Sequence, residues 1–420
     1  MSTVAIVGTT LVAPALALAL ADVGQPCVLI DTTPSGRAIE NDPRPIALSL
    51  SSVRILRALA VWPELSAHAQ AIQHIHVSEQ GRLAKLRLNA DESGVDAFGY
   101  VINAGAIAVA FRDAIQARIE AGAPIEIYRG ACELSYATDR LQVRIEGLAS
   151  SSDGSRGDGN AAHCAMQTPL SVNTPLLVMA DSAVSVLCNL PITSATRDYH
   201  QAALAFTVAL GQAHAGVAYE RFTPEGPLAL LPLSGQRAGV VWSVNDARAA
   251  ALTTLDSAAL SVALQAQFGG WLGALSNASP AVSFPLSLRE TVVTAADART
   301  LLIGNAALQL HPVAGQGLNL ALRDVAVLAE QLQRSGSSEE LGSASFCRQF
   351  LTARAADRRL VRMGTDAAVR LYSGRGLLAR LVRAPLLAGL AVVPPARHHF
   401  ANVAMGLLPP QPRLVRGASW

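Results

Sequence analysis

Residues 301–324, LLIGNAALQLHPVAGQGLNLALRD, form the stretch that decides the fold of this chain. An apolar run typical of a buried parallel strand ends at Gly304, and residues 315–317 (GQG) open a helix predicted over 317–332. A glycine-rich helix start offers free backbone N–H groups and the positive end of the helix dipole. The stretch therefore predicts a strand–turn–helix unit that binds a negatively charged group. The alternative is a helix start whose glycines serve only packing.

The N-terminus contains a second unit of this kind. A β-branched run at 4–7 predicts a parallel strand, residues 14–21 predict a helix, and 27–30 predict a second strand that ends at Asp31. A strand–helix–strand unit of about 30 residues is typical of dinucleotide-binding domains.

The turn after the first strand holds the residues that would bind a dinucleotide. In the pattern GxGxxG, glycines admit the pyrophosphate, and an acidic residue after the second strand binds the ribose hydroxyls. Residues 8–13 read GTTLVA, so Gly8 fills the first position and Ala13 the third, while Thr10 replaces the second glycine. The pattern predicts a dinucleotide site at Gly8, Ala13 and Asp31; the alternative is a turn that binds nothing.

Composition limits the classes of function. The 420 residues are 51% hydrophobic and 15% charged with a net charge of +2, so no broad basic field indicates a nucleic-acid partner. The five cysteines are widely spaced and form no C-x-x-C pair, which argues against a disulfide framework or a metal site and fits a reducing cytoplasm. No basic segment precedes the apolar N-terminus, so we expect neither a signal peptide nor a spanning helix there.

Several motifs together resemble the FAD-dependent aromatic hydroxylases, and in particular their ubiquinone-biosynthesis branch. Residues 304–319 resemble the second flavin motif, whose helix start suits a flavin ring that becomes negative at its pyrimidine edge on reduction. Further resemblances lie at residues 42–48 (DPRPIAL), 98–102 (FGYVI), 198–201 (DYHQ), 218–232 (AYERFTPEGPLALLP) and 400–406 (FANVAMG). The resemblance therefore covers almost the whole chain.

The resemblance implies an α/β fold in which a Rossmann-type FAD-binding domain is interleaved with a mainly antiparallel β substrate domain. The implied FAD-binding domain comprises residues 1–70, 100–182 and 290–345, and the implied substrate domain comprises 71–99 and 183–289. A helical C-terminal region, 346–420, would follow.

The resemblance also implies an enzyme that hydroxylates the ring of a polyprenylated phenol, using FAD, O2 and NAD(P)H as the electron donor. Other ubiquinone-biosynthesis proteins are implied as further partners. The difficult chemistry belongs to the cofactor, so no side chain is assigned as catalytic. The cofactor-binding residues that the motifs imply are Gly8, Ala13, Asp31, Arg44, Asp181, Gly304, Asn305, Pro312, Gly315, Gln316, Gly317 and Asn319.

Three departures from the family pattern lie in the predicted flavin motifs. Thr10 replaces a glycine, and Leu308 stands where histidine or glutamine is usual. In the middle motif, Ser182 and Cys188 replace a glycine and an arginine. If these changes empty the FAD site, the chain is a catalytically inactive relative that serves as an accessory subunit of the ubiquinone-biosynthesis assembly. The sequence leaves this function open beside that of an active monooxygenase.

Three other features each have two interpretations. His311 either acts near the flavin or fixes its turn. Glu220 and Arg221 either contact substrate or form an ion pair on a strand edge. The apolar, arginine-containing stretch 377–393 either lies on the inner face of the cytoplasmic membrane or packs as a helix.

Overall fold

The structure of the protein is a computed structural model. It describes residues 2–8, 11–32, 39–82, 85–136, 141–146, 170–180, 192–294, 299–311, 315–335, 340–373, 389–390 and 392–418. The residues named above that lie outside the described residues are Thr10, Asp181, Ser182, Cys188 and Pro312, together with most of 377–393.

A parallel sheet of five strands carries the N-terminal strand–helix–strand unit. Its strand order is β19 (Thr300–Leu302), β12 (Leu176–Met179), β1 (Val4–Val7), β2 (Cys27–Asp31) and β8 (Ile125–Arg129). All of β1 is buried, because helices cover one face of the sheet and a small antiparallel sheet covers the other. Val4 and Ile6 point to the helices, whereas Ala5 and Val7 point to the small sheet.

In the described part of the chain, most of the core on the helical side is built from five helices. They are α1 (Val12–Asp22), α2 (Leu50–Ala58), α3 (Trp62–Ser66), α4 (Ala104–Glu120) and α8 (Gln316–Arg334). Helix α1 begins two residues before the predicted start, because Pro14 lies in the first turn, where a missing N–H breaks no intrahelical hydrogen bond. Helix α8 also extends slightly beyond its predicted bounds.

Two small antiparallel sheets flank the parallel sheet. One covers its second face and consists of β9 (Ala131–Tyr136), β10 (Leu141–Glu146) and β11 (Leu170–Thr174). The other contains β3 (Pro45–Ser49), β7 (Gly99–Asn103) and β4 (Gln70–Ile72), in that order.

A large sheet, mostly antiparallel, forms the second layer of the molecule. Its strands follow the order β20 (Leu308–Gln309), β18 (Val282–Val293), β13 (Ile192–Leu210), β16 (Arg237–Asn245), β15 (Pro227–Leu233), β14 (Val217–Phe222), β5 (His74–Glu79) and β6 (Lys85–Asn89), and β17 (Leu275–Ser276) pairs with β13. Helices α5 (Asp246–Thr253) and α6 (Ser257–Phe268) pack on one face. We call the opposite face the inner face. The predicted α/β fold with an interleaved antiparallel sheet is confirmed.

The remaining helices are α7 (Gly304–Ala307), α9 (Ala344–Ser373) and α10 (Pro394–Met405), with short 3-10 turns at Ile39–Asn41, Asp91–Ser93 and Leu414–Arg416. Helix α9 joins the two large sheets. Arg358 donates to the carbonyl oxygen of Leu302 in β19 at 3.1 Å, and the hydroxyl of Tyr199 in β13 donates to Asp366 at 3.0 Å. Within the described part of the chain, no helix is long and apolar enough to span a bilayer.

Candidate cofactor site

The carboxyl ends of three neighbouring parallel strands meet at two glycines. Gly8 follows β1, and Gly304 follows β19 with a φ of +54°. A Cβ atom at Gly304 would lie 3.2 Å from the carbonyl oxygen of Ala180 and 3.3 Å from Val12 Cγ2, so a side chain here would be both strained and crowded. This edge of a parallel sheet is where dinucleotides bind in open α/β folds.

Two long helices point uncapped N-termini at this region. Neither α1 nor α8 has a side-chain cap or an acidic residue in its first turn. Gly315 begins α8 with a φ of +58°, and no atom lies within 4 Å of a Cβ built at Gly317. Both helix starts therefore have the positive potential and the space that an anionic cofactor requires.

Asn319 fixes the start of α8 to the neighbouring strand. Its Oδ1 atom accepts from the Ser49 N–H at 2.8 Å and the Ser52 hydroxyl at 2.7 Å. Its Nδ2 group donates to the carbonyl oxygens of Ala47 at 2.9 Å and Gly315 at 2.7 Å. The amide is buried and its donors and acceptor are engaged within the protein, so Asn319 holds the start of α8 in place, and a contact with cofactor stays a prediction.

Arg44 lies between the cofactor site and the large sheet. Its Nε atom donates to both carboxylate oxygens of Asp42, at 2.9 and 2.7 Å, and its guanidinium carbon lies 4.7 Å from the centre of the Phe284 ring in β18. The loop is held in place because its carbonyl oxygens cap α4: Arg44 accepts from the Ala104 N–H and Asp42 from the Gly105 N–H, both at 2.9 Å. Whether Arg44 contacts cofactor stays a prediction.

The other predicted site residues lie along the same edge. Asp31 ends β2, next to β1, and its Oδ2 atom lies 3.5 Å from Arg129 Nε. Asn305 is exposed immediately after Gly304, and Gln316 is half-buried at the first position of α8. Ala13 is fully buried in α1, where its small size allows close packing. Asp31, Gly8 and Gly304 thus lie at the carboxyl ends of three strands of the same parallel sheet.

Glu220 and Arg221 point to opposite sides of β14. Arg221 Nε donates to the Gln267 carbonyl oxygen at 3.0 Å, and the guanidinium carbon lies 4.8 Å from the centre of the Trp271 ring on the face covered by α6. Glu220 is half-buried on the inner face, where burial raises the pKa of its carboxyl group to about 7. The interpretation as an ion pair on a strand edge is wrong, because β14 lies between β15 and β5 and neighbouring residues alternate in direction.

His311 and Leu308 both belong to the packed interior. Burial lowers the pKa of His311 to about 4, so its imidazole is neutral at physiological pH, and its ring packs edge-on to Tyr199 at 5.5 Å. This geometry favours the structural interpretation of His311. Leu308 pairs with Glu290 across β20 and β18 and packs with Leu288 in the core. The departure at Leu308 therefore serves core packing.

The fold is that of the FAD-dependent aromatic hydroxylases. The solved structure of p-nitrophenol 4-monooxygenase PnpA from Pseudomonas putida is similar with a TM-score of 0.68 at 16% identity, over 97% of this chain and 99% of that chain. The family model described as FAD binding domain matches residues 152–356.

Two curated relatives narrow the class. Ubiquinone hydroxylase UbiL of Rhodospirillum rubrum is 32% identical over 423 residues, covering 99% of this chain and 92% of the relative. The 3-demethoxyubiquinol 3-hydroxylase of Escherichia coli is 26% identical over 368 residues, covering 86% of this chain and 88% of the relative. The chain belongs to the family of FAD-dependent hydroxylases of ubiquinone biosynthesis.

Proposed function

We propose that this protein hydroxylates the aromatic ring of a polyprenylated phenol in ubiquinone biosynthesis, using O2 and electrons from NAD(P)H. The observation that carries the proposal is the glycine-lined edge with two uncapped helix starts, in a chain that belongs to a hydroxylase family. No observation on the described residues favours the inactive accessory subunit.

The residues present fit FAD. The start of α1 beside Gly8 would hold the pyrophosphate, and Asp31 would hold the adenosine ribose. Residues 315–317 would present backbone N–H groups to the flavin. Asn305, Pro312 and Asp181 would complete the site. When bound, FAD supplies the reduction of O2 and the transfer of one oxygen atom. We further propose that the two domains follow the boundaries predicted from the sequence.

The inner face of the large sheet supports the place proposed for the phenol ring. Small apolar side chains line it at Ala203, Ala205 and Ala229, and the Phe284 ring lies beside Arg44. Such a surface accommodates an aromatic ring and excludes water from it. We also propose that residues 377–393 contact the cytoplasmic side of the cell membrane, because a polyprenyl tail partitions into lipid. Contact with other ubiquinone-biosynthesis proteins is a further part of the proposal.

We expect the purified protein to retain flavin absorbance after incubation with excess FAD and desalting. Gly317→Asp should lower FAD affinity at least tenfold, because a carboxylate in the first turn of α8 opposes the negative flavin edge, at a cost of about 1.4 kcal/mol or more. Gly270→Asp is the matched control, since that glycine is exposed and also has no atom within 4 Å of a built Cβ. Equal FAD affinity in both variants would contradict the placement at α8.

Hydroxylation itself is tested with FAD-loaded protein, NADPH or NADH, and a phenol that carries a short prenyl chain. We expect a product with one added oxygen atom, labelled when the reaction is run under 18O2. A flavin-loaded protein that binds the phenol and consumes the reductant without forming this product would refute the proposed hydroxylation of that substrate.

A further inference from the structure

Glu220 is a carboxyl group on an apolar surface. The residue opposite it in β15 is Ala229, and the residue opposite it in β5 is Val77. Its neighbours on the same face of β14, Ala218 and Phe222, belong to a hydrophobic cluster. Among the described residues no hydrogen bond or ion pair to the Glu220 side chain is found, although the side chain is only partly exposed to water.

The hydrophobic cluster on the inner face around Glu220 extends to β3. The cluster of Ala218 and Phe222 also contains Ala47 of β3. A Cβ built on Gly315 would lie 3.5 Å from Ala47 Cβ, and a Cβ built on Gly239 of the large sheet would lie 2.5 Å from Pro45. Strand β3 thus lies between the start of α8 and the large sheet, and Glu220 lies on the face of the sheet that β3 contacts.

Among the described residues, the neighbours of Glu220 on this face are mostly apolar, and Glu79 of β5, opposite Phe222, is a charged residue on the same face. Val77 comes from β5, Ala229 and Leu231 from β15, and Met405 from α10. The rise in the pKa of Glu220 has burial as its only cause, with no contribution from a titratable neighbour. Small changes in pH near the physiological value therefore change the protonation state of the Glu220 carboxyl group. A ligand that hydrogen-bonds to this group would determine its protonation state.

We propose that Glu220 is a substrate-binding and proton-accepting residue, whose carboxylate accepts the hydrogen bond of the phenolic hydroxyl and takes its proton during hydroxylation. The inference rests on the proposed function. In the step, the phenolic O–H bond breaks, a carboxyl O–H bond forms, and the electron pair left on oxygen increases the electron density of the ring at the position that is hydroxylated. The proton returns to the hydroxyl of the product.

Binding tests the first part of the proposal without any turnover. The FAD-loaded protein, without reductant, is titrated at pH 8 with a short-chain prenyl phenol and with its O-methyl ether, and binding is followed by the change in flavin absorbance. We expect the wild type to prefer the phenol at least tenfold. The preference should decline as the pH falls below about 7, because a protonated carboxyl group accepts the hydrogen bond more weakly than a carboxylate does and can itself donate to the ether oxygen.

The substitution Glu220→Leu should abolish this preference while the ether still binds. Glu225→Gln is the control, since Glu225 follows closely in the same motif but has Arg248 as its partner at 3.4 Å. A Glu220→Leu variant that retains flavin and still prefers the phenol tenfold would overturn the inference, whether or not the wild type hydroxylates the probe.

Turnover tests the second part. The single-turnover rate of the wild type should rise with pH up to about 7 and then level off. Glu220→Gln should slow hydroxylation by about 10²- to 10⁴-fold and remove this pH dependence, with a much smaller change in KM. An unchanged rate and pH profile in Glu220→Gln would overturn the role as proton acceptor. A wild type that shows the phenol preference and forms no product would instead refute the proposed function and leave the binding role intact.

Discussion

Replacing Asp324 by alanine is expected to lower the free energy of unfolding by about 3–5 kcal/mol, because it removes the buried carboxylate that Arg354 and Arg358 share and leaves Arg354 with Asp357 alone. Asp324 lies in α8, where its carboxylate meets Arg354 Nε at 2.6 Å and Arg358 Nη2 at 2.8 Å. The side chains of Asp324 and Arg354 are only 2% and 5% exposed, so water cannot replace the lost contacts.

The measurement is chemical denaturation of the variant and the wild type. Asp113→Ala is the control, since its ion pair with Arg112 is exposed and its loss should change stability by less than about 1 kcal/mol. Burial alone would raise the pKa of Asp324, but Arg358 and Arg354 outweigh it and the pKa falls below its ordinary value. The stability from this group is therefore present above about pH 4 and is lost below it, so the two proteins should converge in acid. A loss at neutral pH below about 1 kcal/mol would show that the cluster contributes little.

Asn319→Ala is expected to cost about 2–4 kcal/mol of stability and to weaken FAD retention, because each buried partner left without a hydrogen bond costs about 1–3 kcal/mol. The substitution leaves the Ser49 N–H and the carbonyl oxygens of Ala47 and Gly315 without their common amide. The start of α8 would then lose its connection to β3 at the point where the flavin is proposed to bind.

Two further variants test whether Asn319 holds the start of α8 in place or contacts FAD directly. Asn173→Ala changes an exposed asparagine in β11 and should alter neither stability nor FAD retention. Asn319→Asp keeps the acceptor atoms and loses the donors, so it should retain part of the stability and bind FAD less tightly than the wild type. Full FAD retention in a destabilised Asn319→Ala variant would mean that the helix start is held by other contacts.

The elements with a clear periodicity were predicted well from the sequence. The β-branched run of β1 and the glycine-opened helix α8 follow from local rules: β1 has its predicted bounds, and α8 begins one residue earlier and ends two residues later than predicted. The line of glycines at the sheet edge also followed, because the carboxyl ends of parallel strands meet in space.

The rest depended on neighbours that are distant in sequence. Glu220 and Arg221 point to different faces of the sheet, and this could be predicted only with the knowledge that β14 is an interior strand. The burial of Asn319 could not be predicted locally, because its partners Ser49 and Ser52 lie about 270 residues away in the sequence. Leu308 was interpreted as a departure in a flavin motif, but its core contacts come from β18 and α8.

Helix α9 has a consequence for any attempt to dissect the molecule. Its arginines and aspartates are bonded to the parallel sheet at Leu302, to α8 at Asp324 and to the large sheet at Tyr199. Because this one helix packs against both layers, neither layer could be expressed alone with its core fully covered. A chain that ends before α9 would lack contacts in both layers. In the intact protein, we expect the two layers to unfold as a single cooperative unit rather than one after the other.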